Sequence, residues 1–235
     1  MDTPTYGLIG RGRVAAHLGR YLELEGLRHI SWHRGMDGDA ESILAEAGVI
    51  LLAISDDAIA GFPADHPALC DRPLVHFSGS LFVNGVIGLH PLMTFGLELY
   101  DLETYRNIPF ITERERPGFH DAFPSLGNPS LAISPELKPL YHALCVLAGN
   151  FTTILWNKAM RDFEDRLNLP REVLRPYLER TAANTLRQGG GALTGSLARG
   201  ERGTIERDLE GLAGDPFREV YLAVAAALAD KEVRS

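Results

Sequence analysis

Gly10-Arg11-Gly12-Arg13-Val14-Ala15 stands between a short apolar run, Tyr6 to Ile9, and a stretch with helical spacing through Val14, Leu18, Tyr21 and Leu22. Strand, glycine turn and helix in that order make the G-x-G-x-x-A form of the dinucleotide fingerprint. Gly10 permits a tight turn, and Gly12 lets the backbone approach a pyrophosphate. Ala15 allows helix and strand to pack closely, and the helix N-terminus offers free N–H groups to an anion. The alternative is a glycine turn in another α/β fold.

The chain around the motif favours the first reading. His29 to Trp32 reads as a second strand, Ala40 to Ala47 as a short helix, and Gly48 to Ile54 (GVILLAI) as a strand buried on both faces. Leu74 to Phe77 is a fourth strand, with two more around Pro109–Ile111 and Ser130–Ile133. Strands alternating with helices predict βαβ units and a mostly parallel, doubly wound sheet. From Pro135 the character changes. Leu137, Leu140, Tyr141, Leu144, Leu147, Ala148, Phe151, Ile154 and Leu155 recur at three and four, the pattern of a long amphipathic helix. Segments 170–187, 203–213 and 215–231 also read as helices. The expected division is a dinucleotide-binding α/β domain over 1–134 and an all-α substrate and dimerisation domain over 135–235.

The end of the second strand selects the cofactor. A carboxylate there would take a ribose 2′-hydroxyl, but the residues are Trp32-His33-Arg34. Arg34, helped by Arg11 or Arg13, suits a 2′-phosphate, hence NADP(H). The alternative for Arg34 is a solvated side chain. Ligands of open α/β sheets sit beyond the carboxyl ends of the strands, which places Ser55 and Asp56 in the cofactor crevice with Gly10, Gly12 and Val14. Ser55-Asp56 also suits the N-cap of a helix starting at Ala58. His76 to Ser80 ends the fourth strand in the same crevice, and the apolar loop Gly88 to Phe95, with His90, is expected there too.

On the long helix, the face opposite the apolar stripe carries His142, Val146, Gly149, Asn150, Thr153 and Asn157. Uncharged polar groups there predict a cleft or a partner domain. His142 and Asn150, about two turns apart, can share that cleft. Hydride transfer to a carbonyl needs a proton donor and a group that stabilises the developing alkoxide, roles that suit His142, Asn150 and His90. The alternative is a core histidine and a helix–helix hydrogen bond. The glycine-rich run Gly189 to Gly200 holds Thr194 and Arg199, candidates for substrate binding, with Arg199 as a carboxylate or phosphate clamp. A helix–helix loop is the competing account.

Charge and cysteines bound the partners. A formal net charge of -8 argues against sequence-independent nucleic-acid binding. Cys70 and Cys145 are expected to be reduced core thiols of a cytoplasmic protein. Neither forms metal-type spacing, so no metal is expected. Met1 to Tyr6 lacks the pattern of a signal peptide. The charge-free stretch Pro139 to Asn157 suits a buried helix better than a membrane span.

The stretches GLIGRGRVAAHL (7–18), LLAISDDAIA (51–60), HFSGSL (76–81), GLHPLMTFG (88–96), YHALCVLAGN (141–150) and ALTGSLARGERGTIERDL (192–209) support a family comparison. The chain resembles the bacterial Rossmann-like proteins whose C-terminal half is an uncharacterised domain similar to the 6-phosphogluconate dehydrogenase C-terminal domain. Their wider superfamily includes ketopantoate reductase, pyrroline-5-carboxylate reductase and the β-hydroxyacid dehydrogenases. The resemblance implies an NADP-dependent oxidoreductase with its active site between the domains, and a homodimer formed by the helical domain. The β-hydroxyacid dehydrogenases carry Lys-x-x-x-Asn on the first helix of the second domain. This chain departs from that pattern, its nearest equivalents being His142 and Asn150. Arg202 to Glu206 (RGTIE) is similar to a short segment of ketopantoate reductases, which implies a small branched 2-oxo acid as substrate. The rival is a cofactor-binding sensor or assembly module without catalysis.

Overall fold

The computed structural model describes residues 3–232. The chain divides into two compact units between residues 154 and 155.

The first unit opens with β1 (Tyr6–Ile9), α1 (Arg13–Leu24), β2 (His29–Trp32), α2 (Ala40–Ile43) and β3 (Val49–Leu52). It continues through α3 (Asp56–Ile59), α4 (Phe62–Asp65), β4 (Leu74–His76) and β5 (Ile87–Gly88). The five strands form one parallel sheet in the order β2-β1-β3-β4-β5. Every residue of β1 and β3 is buried, because helices cover both faces of the sheet. Val49 and Leu51 join Leu18, Leu22 and Tyr105 on one face; Ile50 and Leu52 join Leu44, Ile59 and Leu69 on the other. That alternation is the period-two signature of a strand between two layers, and it makes this the doubly wound Rossmann-type sheet.

A second, three-stranded sheet is built from β6 (His90–Pro91), β7 (Phe110–Glu113) and β8 (Ser130–Ile133), in the order β6-β7-β8. Between them lie α5 (Leu102–Arg106) and α6 (Phe119–Ala122). Asn128 fastens this part to α1: it accepts from the Tyr21 hydroxyl at 2.6 Å and donates to the carbonyls of Tyr105 and Ile108. The long helix follows as α7 (Lys138–Cys145), a π segment (Val146–Phe151) and α8 (Thr152–Asp165), and the unit boundary falls inside it. The second unit contains α9 (Arg175–Gln188), α10 (Ser196–Arg199), α11 (Arg202–Gly211) and α12 (Phe217–Glu232). Lys158 and Arg166 both pair with Asp162 and Asp215 there, which ties α8 to the start of α12. Among the described residues no helix is long and apolar enough to cross a membrane.

Several expectations need correction. The helix expected to begin at Ala58 begins at Asp56, with Ser55 in the N-cap position but no hydrogen bond from its side chain. Cys70 is exposed and Cys145 half-buried. The buried place beside Cys70 is taken by Leu69, while the Cys70 thiol donates to the carbonyls of Pro63 and His66. The largest correction concerns the long helix. Leu140, Leu144, Phe151 and Ile154 are 58%, 54%, 49% and 51% exposed, so the apolar stripe is not buried within the chain. Lys138, Tyr141, His142 and Cys145 turn inward instead. The physical reason is an ion pair: Lys138 Nζ donates to Glu113 Oε1 at 2.7 Å, with both side chains buried, and this sets the rotation of α7.

Candidate functional site

The sheet order places a topological switch point between β1 and β3, where chain connections leave in opposite directions. Gly10 follows β1 at φ +131°, and a Cβ on it would lie 2.1 Å from the Ala53 carbonyl oxygen. Only glycine tolerates that conformation and that approach. Gly12 caps α1 without any side-chain hydrogen bond, and no acidic residue occupies the first turn, so the helix N-terminus keeps its free N–H groups and positive end.

A cavity of about 800 Å³ opens at this point, lined by Gly10 to Val14, Trp32 to Gly35, Ala53 to Asp56, Phe77 and Ser78. It brings together every residue expected to hold the cofactor: Gly10, Arg11, Gly12, Arg13, Val14, Arg34, Ser55 and Asp56. At the far end of β2, the His33 ring and Arg11 Nη1 both crowd the space a Gly35 side chain would take, at 3.3 and 3.8 Å. Arg11, Arg34 and His33 thus bring two guanidinium groups and an imidazole to the β2 end, while the carboxylates lining the cavity, Asp56 and Asp65, come from α3 and α4. Trp32, His66 and Phe62 add aromatic surface to the same wall, with ring centroids 5.9 Å and 4.6 Å apart for the Trp32–His66 and Phe62–His66 pairs.

The inner end of the cavity is polar. Ser78 Oγ donates to Asp56 Oδ2 at 2.6 Å, and Ser80 Oγ donates to the same oxygen at 3.3 Å. Gly79 is the next residue, and two imidazoles close on it. A Cβ there would lie 2.7 Å from His142 Cδ2 and 3.0 Å from both Cδ2 and Nε2 of His90. The two rings stand edge to face with centroids 6.1 Å apart. His90 Nδ1 is 2.6 Å from the Tyr141 hydroxyl. Burial, then the neighbouring His142 and Lys138, bring the His90 pKa down to about 4 against the opposing pull of Asp56. Burial and Cys145 push the Tyr141 phenol up.

Behind this cluster His76 is fully buried. Its Nδ1 accepts from the Ser78 amide, so Nε2 carries the proton, and Nε2 has no partner among the described residues. Burial and Lys138 lower its pKa to about 4, again opposed by Asp56. Gly88, paired with His76 across the sheet, leaves room for the Glu113–Lys138 bridge, since a Cβ there would lie 2.3 Å from Glu113 Oε1.

A sequence model of the domain of unknown function DUF2520 matches residues 112–228. No curated protein sequence matches the chain. Solved structures do. A Bacteroides fragilis protein provisionally described as an NADP oxidoreductase is 21% identical, with a TM-score of 0.77 over 97% of this chain and 98% of the other. A Thermotoga maritima protein is 22% identical, with a TM-score of 0.67 over 98% of this chain and all (100%) of the other. Pyrroline carboxylate reductase from Plasmodium falciparum, solved with NADP bound, is 12% identical, with a TM-score of 0.58 over 97% of each chain. At these identities the likeness establishes the shared fold.

Asn150, Thr194 and Arg199 have other immediate neighbours. The π segment shifts the helical phase between His142 and Asn150; His142 is half-buried against Gly79, whereas Asn150 is exposed with Gly149 and Thr153. Thr194 and Arg199 belong to the second unit, and the exposed Arg199 guanidinium pairs with Glu201 at 2.6 Å. Three contributors escaped the sequence reading: Tyr141 stood in the apolar stripe by its spacing, and Lys138 and Glu113 carried no motif or periodicity that pointed to a site.

Proposed function

We propose that the protein is an NADP(H)-dependent oxidoreductase that reduces the carbonyl of a small 2-oxo acid of the ketopantoate kind. The observation that carries this reading is the continuity of the switch-point cavity with the histidine cluster: Ser78 lines the cavity, and Gly79, the next residue, touches both His90 and His142. Support from outside comes from the names of two neighbours in fold, an NADP oxidoreductase and a reductase solved with NADP.

The residues present fit the cofactor. The Gly10 turn and the uncapped N-terminus of α1 would receive the pyrophosphate through the N–H groups of Gly12, Arg13 and Val14. Arg11 and Arg34 would hold a 2′-phosphate, where a carboxylate would repel one. Ser55 and Asp56 would border the nicotinamide half. NADPH, when bound, supplies the hydride. The chain's own groups then have the proton and the developing negative charge to manage. His142 is the proposed proton donor and His90 the proposed hydrogen-bond donor to the oxygen.

The reading includes a homodimer and a cytoplasmic setting. Leu137, Leu140, Leu144, Leu147, Phe151 and Ile154 repeat at alternating steps of three and four and stay about half exposed, which is the seam expected of a helix awaiting another helix. Both cysteines are free. We keep residues 135–235 as the substrate and dimerisation domain of this proposal.

Titration with NADPH and NADH, followed by nicotinamide fluorescence, tests the cofactor assignment. NADPH is expected to bind more tightly, and Arg34→Ala to weaken NADPH alone by about ten-fold or more, the value of a charge-assisted hydrogen bond. Binding of neither nucleotide refutes the proposal. Turnover is then sought with 2-oxo acids and cyclic imine acids, and His142→Ala should remove it while leaving NADPH affinity in place.

A further inference from the structure

Tyr141 lies on α7 between Lys138 and Cys145, and its hydroxyl reaches His90 across to β6. The contact between that oxygen and Nδ1 is 2.6 Å, short for a neutral pair. One proton must lie between them. If Nδ1 held it, the phenol proton would need another acceptor, and the Tyr141 hydroxyl has no second hydrogen bond among the described residues. If the phenol donates to Nδ1, its proton meets a strong acceptor. The second arrangement gives the phenol proton the strong acceptor and leaves Nε2 as the protonated ring nitrogen.

The opposite edge of the His90 ring is constrained as well. Cδ2 and Nε2 face the α-carbon of Gly79, and Nε2 has no protein partner among the described residues. Charged and titratable groups around the ring are His142 on α7, Lys138 below it with Glu113, and Asp56 behind Ser78.

We infer that Tyr141 is a positioning residue that locks His90 as the Nε2–H tautomer, so that His90 presents a neutral N–H donor at Gly79. That Nε2–H meets the reacting oxygen rests on the reductase reading; the tautomer itself does not. A neutral imidazole donor stabilises developing charge without giving up its proton, which leaves proton delivery to His142. The low pKa of His90 agrees with this arrangement, because the ring stays uncharged through the neutral range.

The test uses the whole chain labelled with nitrogen-15 at histidine, with His90→Gln to identify the His90 signals. Long-range proton–nitrogen spectra at neutral pH distinguish a protonated ring nitrogen from a bare one. The wild type is expected to show a bare Nδ1 and a protonated Nε2 at His90. Tyr141→Phe is expected to release the ring into a mixture of tautomers. In turnover, the same variant should lower kcat by about ten-fold, the worth of one hydrogen bond, with KM changed little. A protonated Nδ1 in the wild type overturns the inference, and so does an unchanged tautomer in Tyr141→Phe. The wild-type spectrum decides the matter even if the variant fails to fold. It also needs no cofactor, so absence of NADPH binding would overturn the reductase reading separately.

Discussion

Removing one member of the Glu113–Lys138 pair should destabilise the first unit more than removing both. The bridge is 2.7 Å long, and its side chains are 1% and 4% exposed. Glu113 Oε1 has Lys138 as its partner, and Oε2 has none among the described residues. Lys138→Met keeps the length of the side chain but leaves a carboxylate buried alone, an outcome that costs about 3–5 kcal/mol for buried pairs. Total stabilities run to about 5–15 kcal/mol, so that loss is a large part of the whole. Glu113→Leu with Lys138→Met removes both charges and both desolvation penalties, and should return to within about 1 kcal/mol of the wild type. The assay is urea unfolding followed by Trp32 fluorescence in a Trp156→Phe background, so that the signal reports the first unit. NADPH affinity is expected to survive in the double variant, because neither residue lines the cavity. The reasoning is refuted if Lys138→Met costs less than about 1 kcal/mol, or if the double variant is no more stable than the worse single one.

Two further outcomes follow from the same site. Gly79→Ala puts a methyl group 2.7 Å from His142 and 3.0 Å from His90, so the rings must separate; turnover should fall by about a hundred-fold, as for a misplaced catalytic group, while NADPH titration stays near wild type. Stability should fall as pH drops from about 6.5 to about 4, because His76 and His90 are both brought down to about 4 in the folded chain. Between those values the unfolded chain binds more protons, so acid favours it, and each ring contributes on the order of 3 kcal/mol over the window. Urea midpoints measured across that range check this, and His76→Phe should flatten the slope.

The first sheet was legible because its chemistry is local. A parallel strand covered on both faces must be apolar throughout, and Tyr6–Ile9 and Val49–Leu52 are. A switch-point turn needs glycine where φ is positive, and Gly10 supplies it. The second sheet carries weaker signals. β6 is two residues long, and β8, on the other side of β7, leaves Ser130, Leu131 and Ala132 exposed, so neither shows the apolar run that marks a covered strand. The short turn of Phe62–Asp65 is likewise decided by packing against the sheet, whereas Ala40–Ile43 lies within the helix expected from Ala40 to Ala47.

The candidate site shows where periodicity stops being informative. Spacing along Leu137 to Leu155 establishes a helix with one apolar and one polar face, and it assigns Tyr141 to the first and His142 to the second. It does not say which face turns inward. An isolated amphipathic helix would bury the leucines. Here a single contact between residues 25 apart in sequence, Lys138 to Glu113, overrides that preference. A buried lysine must keep its partner, so α7 rotates until Lys138 reaches β7, and Tyr141, His142 and Cys145 follow it inward by helical geometry. The leucines are turned outward by the same rotation. The histidine cluster at Gly79 and the exposed apolar seam are therefore two consequences of one ion pair, and a variant that frees α7 should disturb both together.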